Sequence, residues 1–268
     1  MFYKLTIAYV GTEYCGWQVQ PNAISIQTLI EDALNTILQK KVNIVGSGRT
    51  DAGVHALGQV AHFYWEGSLN LAKIRFSLNC LLPKDIRIIS VELPSQPFHA
   101  QHYAVSKVYR YHLFIKKVLC PFRRFFVWHI PNDFDIEKLN FATQHFLGTH
   151  DFTSFTNEAH KGVAAKDPIR TLYRIDINKE GGEVTVEFEG DGFLYKMVRN
   201  IVGTLVNCAI GKKDPNEIPA IFHAKDRKKG CMSAPPQGLF LVKVNYPSIN
   251  SKDSKCLTPF LINSGISG

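Results

Sequence analysis

One carboxylate in this chain stands in a glycine-rich segment whose composition suits contact with a ligand. Asp51 lies within residues 48–56, which read GRTDAGVHA, and Arg49 stands two positions before it. A carboxylate placed in this way can act on a bound molecule as a base or as a nucleophile. The alternative is an Asx turn, in which Asp51 only caps its own backbone and Arg49 lies in solvent.

The segment is predicted to be a loop between two strands. β-Branched and aromatic residues at 42–45 and 57–65 favour strands on either side of it. We expect Gly46, Gly48 and Gly53 to give the backbone positive φ and to let it approach a partner closely. The carboxylate would then sit on a turn held by two rigid elements.

The rest of the chain predicts two similar units of helices and strands. Apolar residues recur at helical spacing over 26–38, with Ser25 as the expected cap. After Pro94 the same kind of alternation begins again, which indicates an α+β chain with two related halves. Further helices are predicted near 71–81, 136–147, 193–210 and 218–222, and strands near 4–10, 86–93, 106–115, 172–178, 183–189 and 239–246.

The composition is that of a globular enzyme with a net positive charge. The 268 residues are 45% hydrophobic and 20% charged, and their formal net charge is +8. A chain of this length and composition can bury a real core. The charge favours a polyanionic partner such as nucleic acid, although many basic proteins bind nothing anionic.

The cysteines and the apolar runs indicate a reduced, cytoplasmic protein. The six cysteines, at positions 15, 80, 120, 208, 231 and 256, form no Cys-x-x-Cys pair and have no histidine at zinc-ligand spacing. This pattern argues against a structural metal. No run approaches the roughly twenty apolar residues that span a bilayer, and the first residues enter an alternating strand without a signal-peptide pattern.

The segment around Asp51 is similar to the catalytic loop of the TruA-type tRNA pseudouridine synthases. The resemblance runs from near the N-terminus to about Pro247, through several segments in the order of that family. One such motif would be weak evidence, whereas the full series is strong. The other segments are YVGTEYCGWQ at 9–18, the helix around 25–27, KVYRY at 107–111, GTHDFTSF at 148–155, MVRNIVG at 197–203 and APPQGL at 234–239.

The resemblance implies an α+β fold of two pseudo-symmetric halves around a central basic cleft. Each half would be a mixed or antiparallel sheet with helices packed on one face. Residues 1–104 would form the half that carries the catalytic loop, and residues 105–247 would form the second half. The tail, 248–268, lies outside the resemblance and receives no role.

Pseudouridine formation is an isomerisation that a carboxylate can catalyse. The bond from ribose C1′ to uracil N1 breaks, the base turns over, and C1′ is joined to C5. No atoms enter or leave, so the resemblance implies no metal and no other cofactor. The family's catalytic carboxylate falls at Asp51, which can attack C1′ or C6 as a nucleophile or begin elimination at C2′ as a base. The sequence does not choose among these routes.

Two further catalytic residues follow from the resemblance, Arg199 and Tyr109. Arg199 lies in a mostly apolar helix, so we expect its guanidinium to turn inward and pair with Asp51 in bidentate geometry. An arginine that extends from the helix edge into solvent is the alternative. Tyr109 would stack on the flipped uracil and accept the C5 proton. Without the resemblance, a tyrosine on a strand would be read as a core aromatic.

The resemblance also implies substrate-binding roles for Arg49, Tyr109 and Leu239. Arg49 would enter the RNA helix and occupy the space that the extruded base leaves. Leu239 would close the apolar side of the base pocket, although a leucine that opens a strand is by default a core residue. His55, on the same loop, is expected to be a structural hydrogen-bond partner.

Basic side chains elsewhere could line a path for the RNA backbone. Charge indicates phosphate contacts only statistically, and several of these residues will be solvated surface. The candidates are Lys107, Arg110, Arg123, Arg124, Arg170, Lys196, Lys225, Arg227, Lys228 and Lys229.

The resemblance thus predicts a homodimeric enzyme that acts on the anticodon arm of tRNA. It would isomerise uridine to pseudouridine at positions 38, 39 and 40 of tRNA, in the anticodon stem and loop. The alternative is a non-catalytic tRNA-binding or RNA-folding protein, which would have no chemical need for Asp51, Tyr109 and Arg199 together. A base-removing glycosidase would present a further acid or a water-activating group beside Asp51, and none is evident in that loop.

Overall fold

The first half of the chain alternates strands and helices, as its apolar periodicity predicts. A computed structural model describes residues 1–157 and 167–247, and the tail lies outside them. Ser25 caps the first helix by accepting a hydrogen bond from the Thr28 amide, as expected. The elements are β1 (Phe2–Tyr9), α1 (Ile26–Leu38), β2 (Val45–Gly46), β3 (His55–Tyr64), α2 (Leu71–Leu81) and β4 (Ile86–Glu92).

The second half repeats this alternation with a longer hairpin. The helix that carries Arg199 begins at Met197, four residues later than predicted, because Lys196 adopts a left-handed φ of 58° immediately before it. The elements are β5 (Ser106–Phe114), β6 (Trp128–His129), α3 (Ile136–Gln144), β7 (Gly148–Asp151), β8 (Ile169–Glu180), β9 (Glu183–Gly190), α4 (Met197–Ala209), α5 (Ile218–Ala224) and β10 (Leu239–Asn245).

The strands join into one mixed sheet with the order β4-β1-β3-β10-β5-β9-β8-β7. In the first half, the first strand β1 lies between β3 and the last strand β4. In the second half, the first strand β5 lies in the same way between β9 and the last strand β10. All four pairs are antiparallel. The halves meet where β10 runs parallel to β3, with Phe240 opposite His55 and Leu241 opposite Ala56. The predicted α+β fold with two topologically similar halves is confirmed, while the central cleft stays a prediction.

The core brings the functional motifs into contact. Alternate residues of β1 are buried, as their period of two predicts. Helix α4 is buried on nearly every side, since it packs against α3 and beneath the segment that precedes β10. An arginine on this helix must therefore find a partner inside the protein. Within residues 1–157 and 167–247, no helix has the length and apolar character to cross a bilayer.

Candidate active site

An ion pair between Asp51 and Arg199 joins the two halves of the fold. The Arg199 Nη1 atom donates to Asp51 Oδ2 at 2.7 Å. Only 12% of the Arg199 side chain and 17% of the Asp51 side chain are exposed. Arg199 also donates from Nε to the carbonyl of Ala234 at 2.8 Å, so its guanidinium is fixed at two points. The predicted inward turn of Arg199 and its pairing with Asp51 are thus present in the structure.

The pairing differs from the sequence prediction in one respect. A bidentate contact was expected, but Arg199 gives one nitrogen to Asp51 and uses Nε for Ala234. Among the residues that the structure describes, Asp51 Oδ1 accepts no hydrogen bond. One carboxylate oxygen is therefore oriented by a charge-assisted hydrogen bond, while the other is free to react.

The loop that carries Asp51 is held from both sides by hydrogen bonds. The Trp17 amide donates to the carbonyl of Thr50 at 3.1 Å, and the Tyr9 hydroxyl lies 2.8 Å from Thr50 Oγ1. On the other side, Gln59 Nε2 donates to the carbonyl of Gly48 at 3.0 Å. These bonds restrict the position of Asp51 before any ligand arrives, as a catalytic group requires.

A glycine in the 9–18 motif explains how that motif supports the loop that carries Asp51. Gly16 has a φ of 93°, and a Cβ at this position would lie 2.5 Å from the Thr50 carbonyl oxygen. Only glycine lets this turn approach the loop so closely. Sequence reasoning missed this supporting role, although the glycines of the motif were the signal that could have indicated it.

Positive φ was expected at three glycines of the loop that carries Asp51, and only one of them has it. Gly53 has a positive φ of 76°, as expected, but Gly46 and Gly48 do not. A Cβ at Gly46 would lie 2.5 Å from Nε1 of the Trp17 indole. Close packing, and not backbone conformation, therefore requires glycine at that position.

Tyr109 is buried on β5, where the charge of Asp51 reaches it. It stands opposite Phe188 of β9 and Leu241 of β10, and it contacts Phe193 edge to face with ring centroids 5.0 Å apart. Burial, followed by the charges of Tyr9 and Asp51, raises the pKa of Tyr109 well above its ordinary value. The hydroxyl is therefore protonated at neutral pH.

Leu239 and Arg49 occupy different environments near these residues. Leu239 opens β10 opposite Tyr111, on the same face of the sheet as Tyr109, and is buried in the core. Arg49 is exposed, and within the described ranges it makes no hydrogen bond or ion pair. Its guanidinium is therefore available to a ligand.

His55 connects the loop that carries Asp51 to the second half of the chain. Its Nδ1 accepts a hydrogen bond from the Gly11 amide, and its Nε2 lies 2.9 Å from the Phe125 carbonyl and 3.1 Å from that of Gln237. Since Nδ1 is an acceptor, Nε2 carries the proton and donates. Burial lowers the pKa of His55, so the ring stays neutral. These contacts fit the structural role that the sequence predicted.

Some basic residues predicted to line an RNA path are engaged elsewhere. Arg110 points to the opposite face of the sheet from Tyr109 and pairs with Glu187 at 2.7 Å. Arg227 turns inward, where its Nη2 donates to Asn200 Oδ1 at 2.9 Å and to the Cys231 carbonyl at 2.8 Å. The sequence could not separate these residues from free cations, because Glu187 is 77 residues from Arg110 and Asn200 is 27 residues from Arg227.

Comparison with known proteins places this chain in a class of RNA-modifying isomerases. A family model described as tRNA pseudouridine synthase matches residues 5–101 and 142–247. The matched ranges contain both members of the Asp51–Arg199 pair and the loop between β2 and β3. The protein is therefore an isomerase of the pseudouridine synthase class.

Relatives across most of the chain identify the family within this class. A tRNA pseudouridine synthase A 1 from Protochlamydia amoebophila (strain UWE25) is 57% identical over 249 residues, which cover 92% of this chain and 97% of the relative. A tRNA pseudouridine synthase A from Chlamydia muridarum is 44% identical, with 91% of each chain covered. A tRNA pseudouridine synthase A from Geotalea daltonii is 42% identical, and the aligned residues cover 91% of this chain and 98% of the relative. The chain belongs to the TruA-type tRNA pseudouridine synthase family.

A similarity among solved structures is much weaker. A chain from a crystal structure of a Cbf5-Nop10-Gar1 complex aligns with a TM-score of 0.34 and 13% identity, covering 76% of this chain and 54% of that chain. No conclusion about fold or function is drawn from a similarity of this size.

Proposed function

We propose that this enzyme isomerises uridines 38, 39 and 40 on the 3′ side of the tRNA anticodon arm, in the cytoplasm and as a homodimer. The observation that carries the proposal is the Asp51 carboxylate, which Arg199 orients through one oxygen. Strong similarity to proteins named tRNA pseudouridine synthase A supports tRNA as the substrate. Residues 1–104 and 105–247 would act as the two halves between which the RNA binds.

Asp51 is the proposed catalytic residue, and its free oxygen is the proposed reacting atom. Arg199 keeps Oδ2 in a charge-assisted hydrogen bond, which leaves Oδ1 to meet C1′ or C6, or the proton at C2′. Each of these routes uses the ionised carboxylate. The chemistry then needs no group beyond this chain's own residues.

Tyr109 has two proposed roles, base stacking by its ring and proton transfer by its hydroxyl. Its ring provides a surface on which a flipped uracil can stack. Its raised pKa keeps the phenol neutral, and a neutral phenol takes up the C5 proton only if its own proton leaves at the same time. The Asp51 carboxylate, whose charge reaches Tyr109, is the proposed acceptor of that second proton.

The decisive experiment is an assay with unmodified tRNA. The purified protein is incubated with tRNA and a chelator, without added cofactor, and pseudouridine is mapped chemically at each uridine of the anticodon arm. We expect product at positions 38, 39 and 40. Binding without product would favour the non-catalytic alternative, and product elsewhere would contradict the proposed site specificity. Mass measurement of the free protein tests the homodimer.

Replacing Tyr109 by Phe should leave tRNA binding near normal while slowing removal of the C5 proton. The ring remains for stacking, but the hydroxyl is lost. We expect the rate of tritium release from tRNA labelled at uracil C5 to fall by about 10²–10⁴-fold, the usual contribution of a positioned proton-transfer group. Tyr109→Leu, which removes the ring as well, should also weaken binding. Full activity of Tyr109→Phe would show that the phenol does not transfer the proton.

Replacing Arg49 by Ala should impair modification of paired uridines more than unpaired ones. Extruding a paired base costs a few kcal/mol, which an inserted guanidinium partly offsets. Single-turnover rates on anticodon arms with the target uridine paired or unpaired measure the difference. Equal losses on both substrates would mean that Arg49 contacts the backbone or positions the loop, without a role in base extrusion.

A further inference from the structure

A lysine lies against the catalytic loop without a carboxylate beside it. Lys107, on β5, donates from Nζ to the Ser47 carbonyl at 2.8 Å. An ammonium group carries three donors, so two of them remain. Across residues 1–157 and 167–247, Lys107 forms no ion pair. It stands two residues before Tyr109 on the same strand, and the two side chains therefore share one face of the sheet.

The surroundings of Lys107 are cationic. Burial, and after it the like charge of Arg170 on β8, lowers the pKa of Lys107 to about 8. Other charged residues on the neighbouring segments are Arg49 and Asp51 on the loop, Asp191 after β9, Glu187 and Glu189 on β9 and Lys243 on β10. The last three stand opposite Arg110 or Val108, so they lie on the other face of the sheet. None of these carboxylates offsets the effect of Arg170 on the ammonium. Arg170 itself lies 3.6 Å from Asp167, whose side chain is 65% exposed.

Glycines lie close to both cations, and the Arg170 side chain is only 14% exposed. A Cβ at Gly48 would lie 2.7 Å from Lys107 Nζ, and a Cβ at Gly192 would lie 3.4 Å from Arg170 Nε. The φ of Gly48 is not positive, so its backbone conformation does not require glycine. A side chain at this position would instead meet the ammonium, and Lys107 would have to move or be covered.

We propose that Lys107 and Arg170 bind a backbone phosphate of the RNA beside the uridine that reaches Asp51. The inference rests on the proposed function, since it takes RNA to be the ligand of this face. Phosphate is the oxyanion that RNA places next to every base, and it can accept hydrogen bonds from an ammonium and a guanidinium together. Its charge would offset the repulsion between the two cations and keep Lys107 protonated in the complex.

The test compares tRNA affinity across salt and pH for three variants. Lys107→Met removes the charge, Lys107→Arg keeps it permanently, and Lys73→Met removes a matched lysine from the exposed face of α2. Loss of one phosphate contact should reduce the slope of log K against log salt by about 0.7–0.9 in Lys107→Met. The slope of Lys73→Met should equal that of the wild type.

Measuring tRNA affinity against pH distinguishes the titration of Lys107 from that of other groups. Wild-type affinity should fall as pH rises above about 8, where the free enzyme loses the ammonium proton. Lys107→Arg should lack this decrease, because a guanidinium stays charged at these pH values. This comparison stands even if Lys107→Met folds poorly, which thermal melts will show.

Two results would overturn the proposal. One is a folded Lys107→Met variant whose slope of log K against log salt equals that of the wild type. The other is a tRNA affinity that depends on pH in the same way in the wild type and in Lys107→Arg. Lys107 would then serve only to fasten Ser47 in the catalytic loop. Failure of the proposed function is seen separately, because in that case the wild type itself would form no pseudouridine in tRNA.

Discussion

Replacing Asp51 by Asn is expected to abolish pseudouridine formation while tRNA binding and folding remain. The amide keeps the shape of the side chain and can still accept a hydrogen bond from Arg199, whose Nε stays bound to the Ala234 carbonyl. It loses the charge and the nucleophilicity on which every proposed route depends. We expect the single-turnover rate to fall by roughly 10⁴-fold or more, as when other enzymes lose a catalytic nucleophile or base.

The control for this variant is a carboxylate away from the site. Asp32 is exposed on α1, and Asp32→Asn should retain full activity. Affinity for unmodified tRNA should match the wild type within error for both variants. The thermal midpoint should be unchanged in Asp32→Asn and lowered in Asp51→Asn, which still folds, because the buried Arg199 guanidinium then faces a neutral amide. Substantial product from Asp51→Asn, after deamidation back to Asp has been excluded by mass spectrometry, would rule out the catalytic assignment.

Replacing Arg199 by Ala is expected to damage both stability and catalysis. It leaves the carboxylate of Asp51, only 17% exposed, without its partner. Removing one member of a buried pair costs about 3–5 kcal/mol, and we expect about 3 kcal/mol because both side chains keep some access to water. In a chain of this size, that loss would lower the thermal midpoint by about 6–12 °C.

A double-mutant cycle separates the ion pair from the rest of the helix. Combining Arg199→Ala with Asp51→Asn removes the unpaired charge, so the double variant should be more stable than the sum of the single losses predicts. Arg199→Lys tests geometry, since an ammonium keeps the charge but cannot hold Asp51 and the Ala234 carbonyl through a fixed fork. An unchanged midpoint in Arg199→Ala would mean that the pair does not stabilise the fold.

Local sequence patterns predicted the regular elements well where they were strong. The bounds of α1 and α2 agree with their apolar periodicity, and the Ser25 cap fixes the start of α1. The short strands β6 and β7 were missed, because two to four residues cannot establish a period. The predicted strand at 42–45 is reduced to Val45–Gly46, since the hydrogen-bonding partner on β3 covers only that part.

By itself, the sequence determined which chemistry-bearing residues the chain owns, which elements hold them, and which family they resemble. The tertiary structure decided which groups meet. Asp51 and Arg199 are 148 residues apart, and their contact is monodentate because Nε of Arg199 donates to the Ala234 carbonyl. The tertiary structure also gives Arg110 and Lys107 different surroundings. Arg110 pairs with Glu187 on the opposite face of the sheet from Tyr109, whereas Lys107 lies beside the loop without a carboxylate partner among the described residues. The physical reason is that periodicity and capping are local, whereas charge pairing and burial depend on contacts between residues far apart in sequence.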